Sequence, residues 1–244
     1  MSTVGPRISD FLVTTIIRRS MDSGDEDKDD DVLATVLICL ASGAHLTHQH
    51  FAVLATANRA FRKAVSRAKP FVTNVTLRLN QTQDLPYVID AIATCKVIDA
   101  RYSGLGAGGM RVLAKAATSQ EAFEHLTSLN ISTNVIGDDG VRAIANAVQA
   151  GALRNLSKLT MRENQISADG GRAIAQVARW ERLTELDVAE NNLGDEGARV
   201  FAKAAKAGAF PKLRYMNLSS NNVTSSGVKA LADESKRGAF ALDY

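Results

Sequence analysis

The C-terminal part of the chain repeats one pattern of apolar and polar positions. In the copy Leu126-x-x-Leu129-x-Ile131-x-x-Asn134, two apolar residues alternate with polar ones between a leading Leu and a closing Asn. An apolar residue and a Gly complete the frame. The regular copies begin at Leu126, Leu156, Leu183 and Leu213. The starts are 30, 27 and 30 residues apart, a period typical of repeat architectures in which each unit buries its apolar face against its neighbours.

Two less regular copies precede these four. One begins at Cys95 and has Ser103 where the other copies have Asn. The other begins at Val72 and keeps only the first half of the frame, which ends at Asn80. The array therefore extends over residues 72–240, with its regular part towards the C-terminus.

Each part of the frame predicts an element. Leu129 and Ile131 alternate with period two and predict a short strand with both side chains inward. The apolar residues that follow recur at helical spacing, as in Val141, Ile144, Ala145 and Val148. The Asn between strand and helix is expected to bond backbone groups, so that stacked copies form a ladder.

Glycines mark the ends of these elements. We expect the Gly that closes each frame to permit a tight turn into the helix. Gly151, Gly208 and Gly238 stand where a helix C-terminus favours a left-handed residue.

A strand, a turn and a helix in about 30 residues resemble the leucine-rich repeat, and the repeat length is similar to that of the ribonuclease-inhibitor subtype. The resemblance implies an α/β leucine-rich-repeat solenoid with a parallel inner sheet and outer helices. The expected organisation is a flexible segment with an acidic linker (1–29), a helical segment (30–70) and the solenoid (71–244).

This resemblance implies a scaffold whose concave strand face binds a protein partner. Candidate contact residues stand at the polar positions of the strands and just after them. They are Arg78, Asp99, Arg101, Tyr102, Asn130, Lys158, Arg162, Glu185, Asp187, Glu190, Tyr215 and Asn217. The bases lead the acids along the array, and Tyr and Arg are frequent interface anchors. The alternative is an ordinary solvated strand face.

A second basic column recurs along the helices. Its members are Arg111, Arg142, Arg172, Arg199 and Lys229. Asp139, Asp169 and Glu196 each precede an Arg by three residues, which favours local ion pairs over an anion-binding site.

Residues 30–70 have helical periodicity and resemble an F-box. The opening Asp31-Val-Leu33…Val-Leu37…Leu40 and the stretch 57–64, with Phe61 at its Trp position, carry the resemblance, while Lys28-Asp29 replace its Leu-Pro. It implies that Leu33, Leu37, Leu40 and Phe61 lie in or support the surface that docks a Skp-family adaptor. The alternative is a helical cap on the solenoid.

Charge is placed unevenly. The chain has 29 Lys and Arg and 26 Asp and Glu, a net charge of +3, but residues 22–31 hold seven acids and one base, a net of −6. The rest therefore carries +3 − (−6) = +9. The acidic run predicts a solvated linker; an interaction tail, or a phosphorylation switch at Ser23, is the alternative. The near balance, without interleaved aromatics, argues against nucleic-acid binding.

Candidate chemistry is sparse. Two cysteines exclude a disulfide framework and a four-thiolate zinc site. His45, His48 and His50 lack a Cys or carboxylate at ligand spacing, and the Gly-rich run 104–109 fits the repeat frame. We expect no enzyme activity, no cofactor and no metal.

Three functions fit these patterns. The first is an F-box and leucine-rich-repeat substrate receptor of a cullin-type ubiquitin ligase. The second is a scaffold or assembly subunit of a larger complex, and the third is a Ran GTPase-activating-type regulator, which shares the repeat subtype. No apolar run could span a membrane. We expect a cytoplasmic or nuclear protein; the basic start, with Arg7, Arg18 and Arg19, is also typical of an organelle transit peptide.

Overall fold

The computed structural model describes residues 74–76, 85, 89, 92–93, 95–119, 122–177, 180–235 and 241–243. Expectations for 1–29 and 30–70 lie outside these residues. The described strands are β1 (Asn74–Thr76), β2 (Val97–Asp99), β3 (Ser128–Asn130), β4 (Lys158–Thr160), β5 (Glu185–Asp187), β6 (Tyr215–Asn217) and β7 (Ala241–Asp243). The described helices are α1 (Gly106–Ser119), α2 (Gly137–Gln149), α3 (Ala168–Gln176), α4 (Gly194–Lys206) and α5 (Ser225–Ser235).

The described strands form one parallel sheet in chain order, β1 to β7. Equivalent positions of successive repeats pair without slippage: Leu129 pairs with Leu159, and Leu159 with Leu186. Neighbouring strands lie about 4.8 Å apart, whereas packed helices need about 8–10 Å, so the array curves with the strands inside. The structure thus confirms the expected α/β leucine-rich-repeat solenoid.

The core lies between the sheet and the helices. The strand residues Leu129 and Ile131 are buried, and so are Val141 and Ile144 on the apolar face of α2. These are the residues that the sequence pattern places inward. Ala241–Asp243 pair with β6 and continue the sheet.

A ladder of buried asparagines joins the repeats. The Nδ2 of Asn164 donates to the backbone oxygen of Ile131 in the preceding repeat at 2.9 Å and to that of Arg162 at 3.0 Å. Its Oδ1 accepts from the backbone N–H groups of Asn134, at 2.9 Å, and Ile136, at 3.4 Å. One carboxamide thereby satisfies backbone groups of two repeats, as the sequence predicts.

The asparagine ladder extends from Asn134 to Asn221, and the preceding copy has a serine in place of the asparagine. Asn134, Asn191 and Asn221 make equivalent bonds and are at most 4% exposed. Ser103 occupies this position in the Cys95 copy. Its backbone N–H donates to Asn134 Oδ1 at 2.9 Å, and its hydroxyl donates to the backbone oxygen of Arg101 at 3.4 Å.

A second ladder, which the sequence analysis did not identify, runs along the opposite ends of the strands. The Thr127 hydroxyl donates to the backbone oxygen of Lys96 at 3.0 Å, and the Ser157 hydroxyl donates to that of Thr127 at 2.9 Å. Thr184 continues the series to Ser157 at 3.0 Å. The repeats that begin at Leu126, Leu156 and Leu183 are therefore each hydrogen-bonded to the preceding repeat at both ends of the strand.

The glycines that close the frames have a different role from the one expected. Gly140, Gly170, Gly197 and Gly227 lie inside the first turns of their helices rather than at a left-handed turn. The turn occurs earlier, at Gly137 and Gly194, where φ is +57° and +59°. The closing glycines are required by close packing: a Cβ at Gly170 would lie 2.5 Å from the side chains of both Ile166 and Asp138. The expectation for Gly151 and Gly208 is confirmed, with φ of +88° and +80°, and Gly238 lies outside the described residues.

Replacement of a ladder asparagine should destabilise the solenoid. Asn164→Ala removes the carboxamide and leaves buried backbone groups of two repeats without partners, so we expect the free energy of unfolding to fall by about 2–4 kcal/mol. Asn146→Ala, at an exposed position of α2, is the control and should change it by less than about 0.5 kcal/mol. Urea denaturation followed by circular dichroism measures both, and equal midpoints would contradict the role of the ladder.

Two Gly→Ala substitutions should act in opposite directions. Gly170→Ala places a methyl group against Ile166 and Asp138 and should destabilise the protein by about 1–3 kcal/mol. Gly108→Ala lies in α1 with no atom within 4 Å of the new Cβ and should stabilise it by about 0.5–1 kcal/mol. Thermal melts compare the two variants; a stabilising Gly170→Ala would show that the packing argument fails.

Candidate partner-binding face

The strand face brings the predicted contact residues into two columns. In β2 to β6 the second residue of the strand is buried, and the first and third lie on the other side of the sheet. One column contains Ser128, Lys158, Glu185 and Tyr215, and the other contains Asp99, Asn130, Thr160, Asp187 and Asn217. Arg101 and Arg162 follow two residues after the second column. Arg78 lies outside the described residues.

The second column has a structural role that the sequence analysis missed. Asn130 Oδ1 accepts from the backbone N–H of Ser132 at 3.1 Å and from its hydroxyl at 2.8 Å. Asp187 accepts from the N–H of Ala189 at 3.1 Å, and Asn217 from that of Ser219 at 2.9 Å. These side chains hold the chain as it leaves the strand. Asn217 is only 4% exposed, which leaves little of it for a partner. The spacing Asn-x-Ser was the available signal.

The central charges of the face form ion pairs between neighbouring repeats. Lys158 Nζ lies 2.6 Å from Glu185 Oε2 on the next strand. Arg162 bridges two acids of the next repeat: one Nη lies 3.6 Å from Asp187 Oδ2, and the other bonds Glu190. The hydrogen bond to Glu190 is the main cause of the raised pKa of Arg162. The acids and bases that the sequence separates into two groups thus meet as pairs across β4 and β5.

Towards the N-terminal end, Arg101 turns back onto Asp99. Its Nε donates to Asp99 Oδ1 at 3.0 Å and its Nη2 to Oδ2 at 2.8 Å. This hydrogen bonding raises the pKa of Arg101. The guanidinium is therefore held in one orientation, beside Tyr102.

The helix column forms the predicted local ion pairs. Arg142 lies 2.5 Å from Asp139, Arg172 pairs with Asp169, and Arg199 lies 3.2 Å from Glu196. An adjacent acid has a further role that the sequence analysis missed.

Asp138 accepts from the N–H and hydroxyl of Ser167, at 2.8 and 2.6 Å, and from the N–H of Gly170 at 3.0 Å. Asp195 bonds Thr224 in the same way at 2.7 Å, and the hydroxyl of Thr224 is the main cause of the lowered pKa of Asp195. Both acids fasten one helix start to the next repeat.

Two large apolar side chains are exposed among the described residues. Tyr102 is 64% exposed and Val135 is 59% exposed, in neighbouring repeats on the rim where the helices begin. Both have left-handed backbone, with φ of +56° and +52°. Glycine and asparagine, which tolerate this conformation, stand at the position of Val135 in the repeats of Gly104 and Asn222. Val135 therefore combines a strained backbone with an exposed apolar side chain.

Other chemistry is limited in the described part of the chain. Burial raises the pKa of the Cys95 thiol to about 12, so it is protonated at neutral pH. The described side chains include no group of His, Cys, Asp or Glu that could hold a metal ion. None of the described helices has the length and apolarity to cross a membrane.

Comparison with known proteins identifies the repeats. The sequence model of the Leucine Rich repeat matches residues 124–145, 152–175, 183–202 and 211–232, which correspond to the four regular copies. The two N-terminal copies fall outside these matches. The curated proteins include none that matches the chain.

Val135→Asn should stabilise the protein, because Asn adopts the left-handed conformation at a lower cost than a β-branched residue. We expect the free energy of unfolding to rise by about 1 kcal/mol and the melting temperature by about 2–4 °C. Val200→Asn makes the same change on the right-handed backbone of α4, where the side chain is half-buried and the loss of apolar burial should lower the melting temperature. Differential scanning calorimetry measures both melting temperatures. A lower melting temperature in both variants would contradict the strain assigned to the backbone at Val135.

Proposed function

We propose that this leucine-rich repeat protein is a non-enzymatic recognition module that binds a protein partner on the strand face between β2 and β6. Leucine-rich repeats generally serve as protein-binding modules, which supports the general function. The observation that supports this location is the pairing of Arg162 with Asp187 and Glu190. The Arg162 side chain is 41% exposed and its position is fixed by the two acids.

This set of ion pairs is suited to recognition because it is arranged before a partner arrives. A guanidinium held by Asp187 and Glu190 loses little conformational entropy on binding and still presents free N–H donors. Lys158 and Glu185 add a second ordered pair on the same two strands. Tyr102 and Arg101 provide the residue types that most often act as anchors. A partner with interspersed carboxylates and bases would match this face better than one of a single charge.

The N-terminal segment extends the proposal. By its resemblance to an F-box, residues 30–70 would dock a Skp-family adaptor through Leu33, Leu37, Leu40 and Phe61. The chain would then be a substrate receptor of a cullin-type ubiquitin ligase, with the strand face holding the substrate. The alternative functions, a scaffold subunit or a Ran GTPase-activating-type regulator, use the same face without the adaptor.

The strand-face proposal is tested by matched arginines. Arg162 and Arg172 have the same side-chain exposure, 41%, and each contacts two acids, but they lie on opposite faces of the solenoid. Proteins captured by the full-length chain are identified by mass spectrometry and their affinity is then measured. Arg162→Gln should weaken the affinity for the stoichiometric partner roughly tenfold, since an anchor residue contributes more than about 1 kcal/mol to binding.

Arg172→Gln should leave that affinity unchanged. Equal effects of the two substitutions, or an effect of Arg172→Gln alone, would place the partner elsewhere. The adaptor is tested separately by mixing the purified chain with a purified Skp-family adaptor in gel filtration. Failure to co-elute would reject the ubiquitin-ligase assignment and leave the general recognition function in place.

A further inference from the structure

The charged groups of the solenoid separate onto two rims. All described helices run in the same direction, because each connects parallel strands of one sheet. Acids occupy the first turns of α2, α3 and α4, where their negative charge interacts favourably with the helix dipole. Two of them, Asp138 and Asp195, also accept hydrogen bonds from the next repeat. The opposite rim contains the helix ends and the loops into the next strands, and its acids among the described residues are Glu124, Glu181, Asp233 and Glu234.

Five exposed bases concentrate on this second rim in the last repeats. Lys203 and Lys206 lie in the last turn of α4, Lys212 and Arg214 lie in the loop from α4 to β6, and Arg182 lies in the loop one repeat earlier. We call these five residues the basic rim cluster. All five are exposed.

The residues of the cluster lie on adjacent repeats. The backbone N–H of Arg214 donates to the oxygen of Thr184 at 2.8 Å, and that of Trp180 donates to the oxygen of Ala209 at 2.8 Å. Arg182 and Lys212 occupy equivalent positions, each just before a buried Leu. Strand spacing sets their backbones roughly 5 Å apart. The positive charges therefore form one continuous patch.

The charges of the cluster are not neutralised by ion pairs, in contrast to those of the strand face and of α2 to α4. Arg101, Lys158, Arg162, Arg172 and Arg199 each pair with an acid. Among the residues that the structure describes, no ion pair involves a member of the cluster. Residues 197–232 contain six Lys and Arg and no Asp or Glu. Three acids lie on the same rim near the cluster: Glu181 beside Arg182, and Asp233 and Glu234 in the last turn of α5. They leave a local charge of 5 − 3 = +2 at neutral pH.

We propose that the basic rim cluster is a second interaction surface, which binds an Asp- and Glu-rich polypeptide segment. Its charge is complementary to such a segment, and unpaired lysines and arginines need no rearrangement before they bind carboxylates. The strand face, whose charges are already paired, does not offer this complementarity. The chain would thus bind one partner surface through the ordered ion pairs and anchor residues of the strand face, and an acidic segment through the unpaired bases of the rim.

Among the residues that the structure describes, this rim lacks the features that would favour other anionic partners. Single-stranded nucleic acids use exposed aromatic side chains as stacking platforms, and membrane surfaces favour exposed apolar side chains beside the bases. The exposed large apolar residues of the described chain, Tyr102 and Val135, lie on the opposite rim. The surface therefore fits an acidic polypeptide better than RNA or an anionic bilayer.

The test measures fluorescence anisotropy of a labelled peptide of alternating glutamate and glycine with the full-length chain. Labelled oligouridine serves as a comparison, as do vesicles of equal parts phosphatidylcholine and phosphatidylserine. At about 50 mM salt we expect the peptide to bind, and at about 0.5 M salt we expect binding to be lost, because the Debye length shortens. The variant Lys206→Gln, Lys212→Gln, Arg214→Gln should weaken binding at least about tenfold.

The control variant Arg111→Gln, Lys115→Gln, Lys229→Gln removes the same charge from exposed bases outside the cluster and should change the affinity less than about twofold. Because residues 22–31 could themselves compete for the cluster, the assay is repeated on the full chain with their acids replaced by Asn and Gln. No peptide binding in either form, equal losses in both variants, or tighter binding of oligouridine or vesicles would overturn the proposal.

Discussion

The solenoid depends on satisfying backbone polar groups in a turn that is buried between repeats. The chain leaves each strand through a left-handed segment that makes few hydrogen bonds within its own repeat, and the asparagine carboxamide supplies the missing partners. It donates to carbonyls of its own and the preceding repeat and accepts from N–H groups of the preceding one. An aspartate could not donate, and a serine has one hydroxyl in place of an N–H donor group and a separate carbonyl acceptor. The serine and threonine hydroxyls at the other ends of the strands serve the same need.

Uniform stacking has an electrostatic consequence. Since every strand is parallel, every described helix begins on the same rim, and the acids that suit helix starts collect there. Asp138 and Asp195 use that position to bond the next repeat as well. Five bases without such partners, Arg182, Lys203, Lys206, Lys212 and Arg214, lie on the other rim. The charge separation therefore follows from topology, whereas the excess of bases in residues 197–232 is particular to this sequence and supports a role in binding.

The strand face shows how stability and recognition share side chains. Asp99, Asn130, Asp187 and Asn217 stabilise the chain as it leaves the strand, so only part of each polar side chain remains for a partner. Lys158, Glu185, Arg162 and Glu190 project between neighbouring strands and pair there. The residues that remain most available, Tyr102 and Val135, stand at the rim on strained backbone.

The sequence by itself determined the period, the strand and helix positions, the buried frame and the asparagine ladder, because each follows from local spacing and from the need of every repeat for a neighbour. It also determined the ion pairs of α2 to α4, where acid and base are three residues apart. Only the tertiary structure decided which charges of different repeats meet, since Lys158 and Glu185 are 27 residues apart and become adjacent through strand register. It also decided why Gly170 is a glycine: besides Ile166 of its own repeat, Asp138 of the preceding repeat would meet a Cβ there, and no pattern within one repeat contains that second contact.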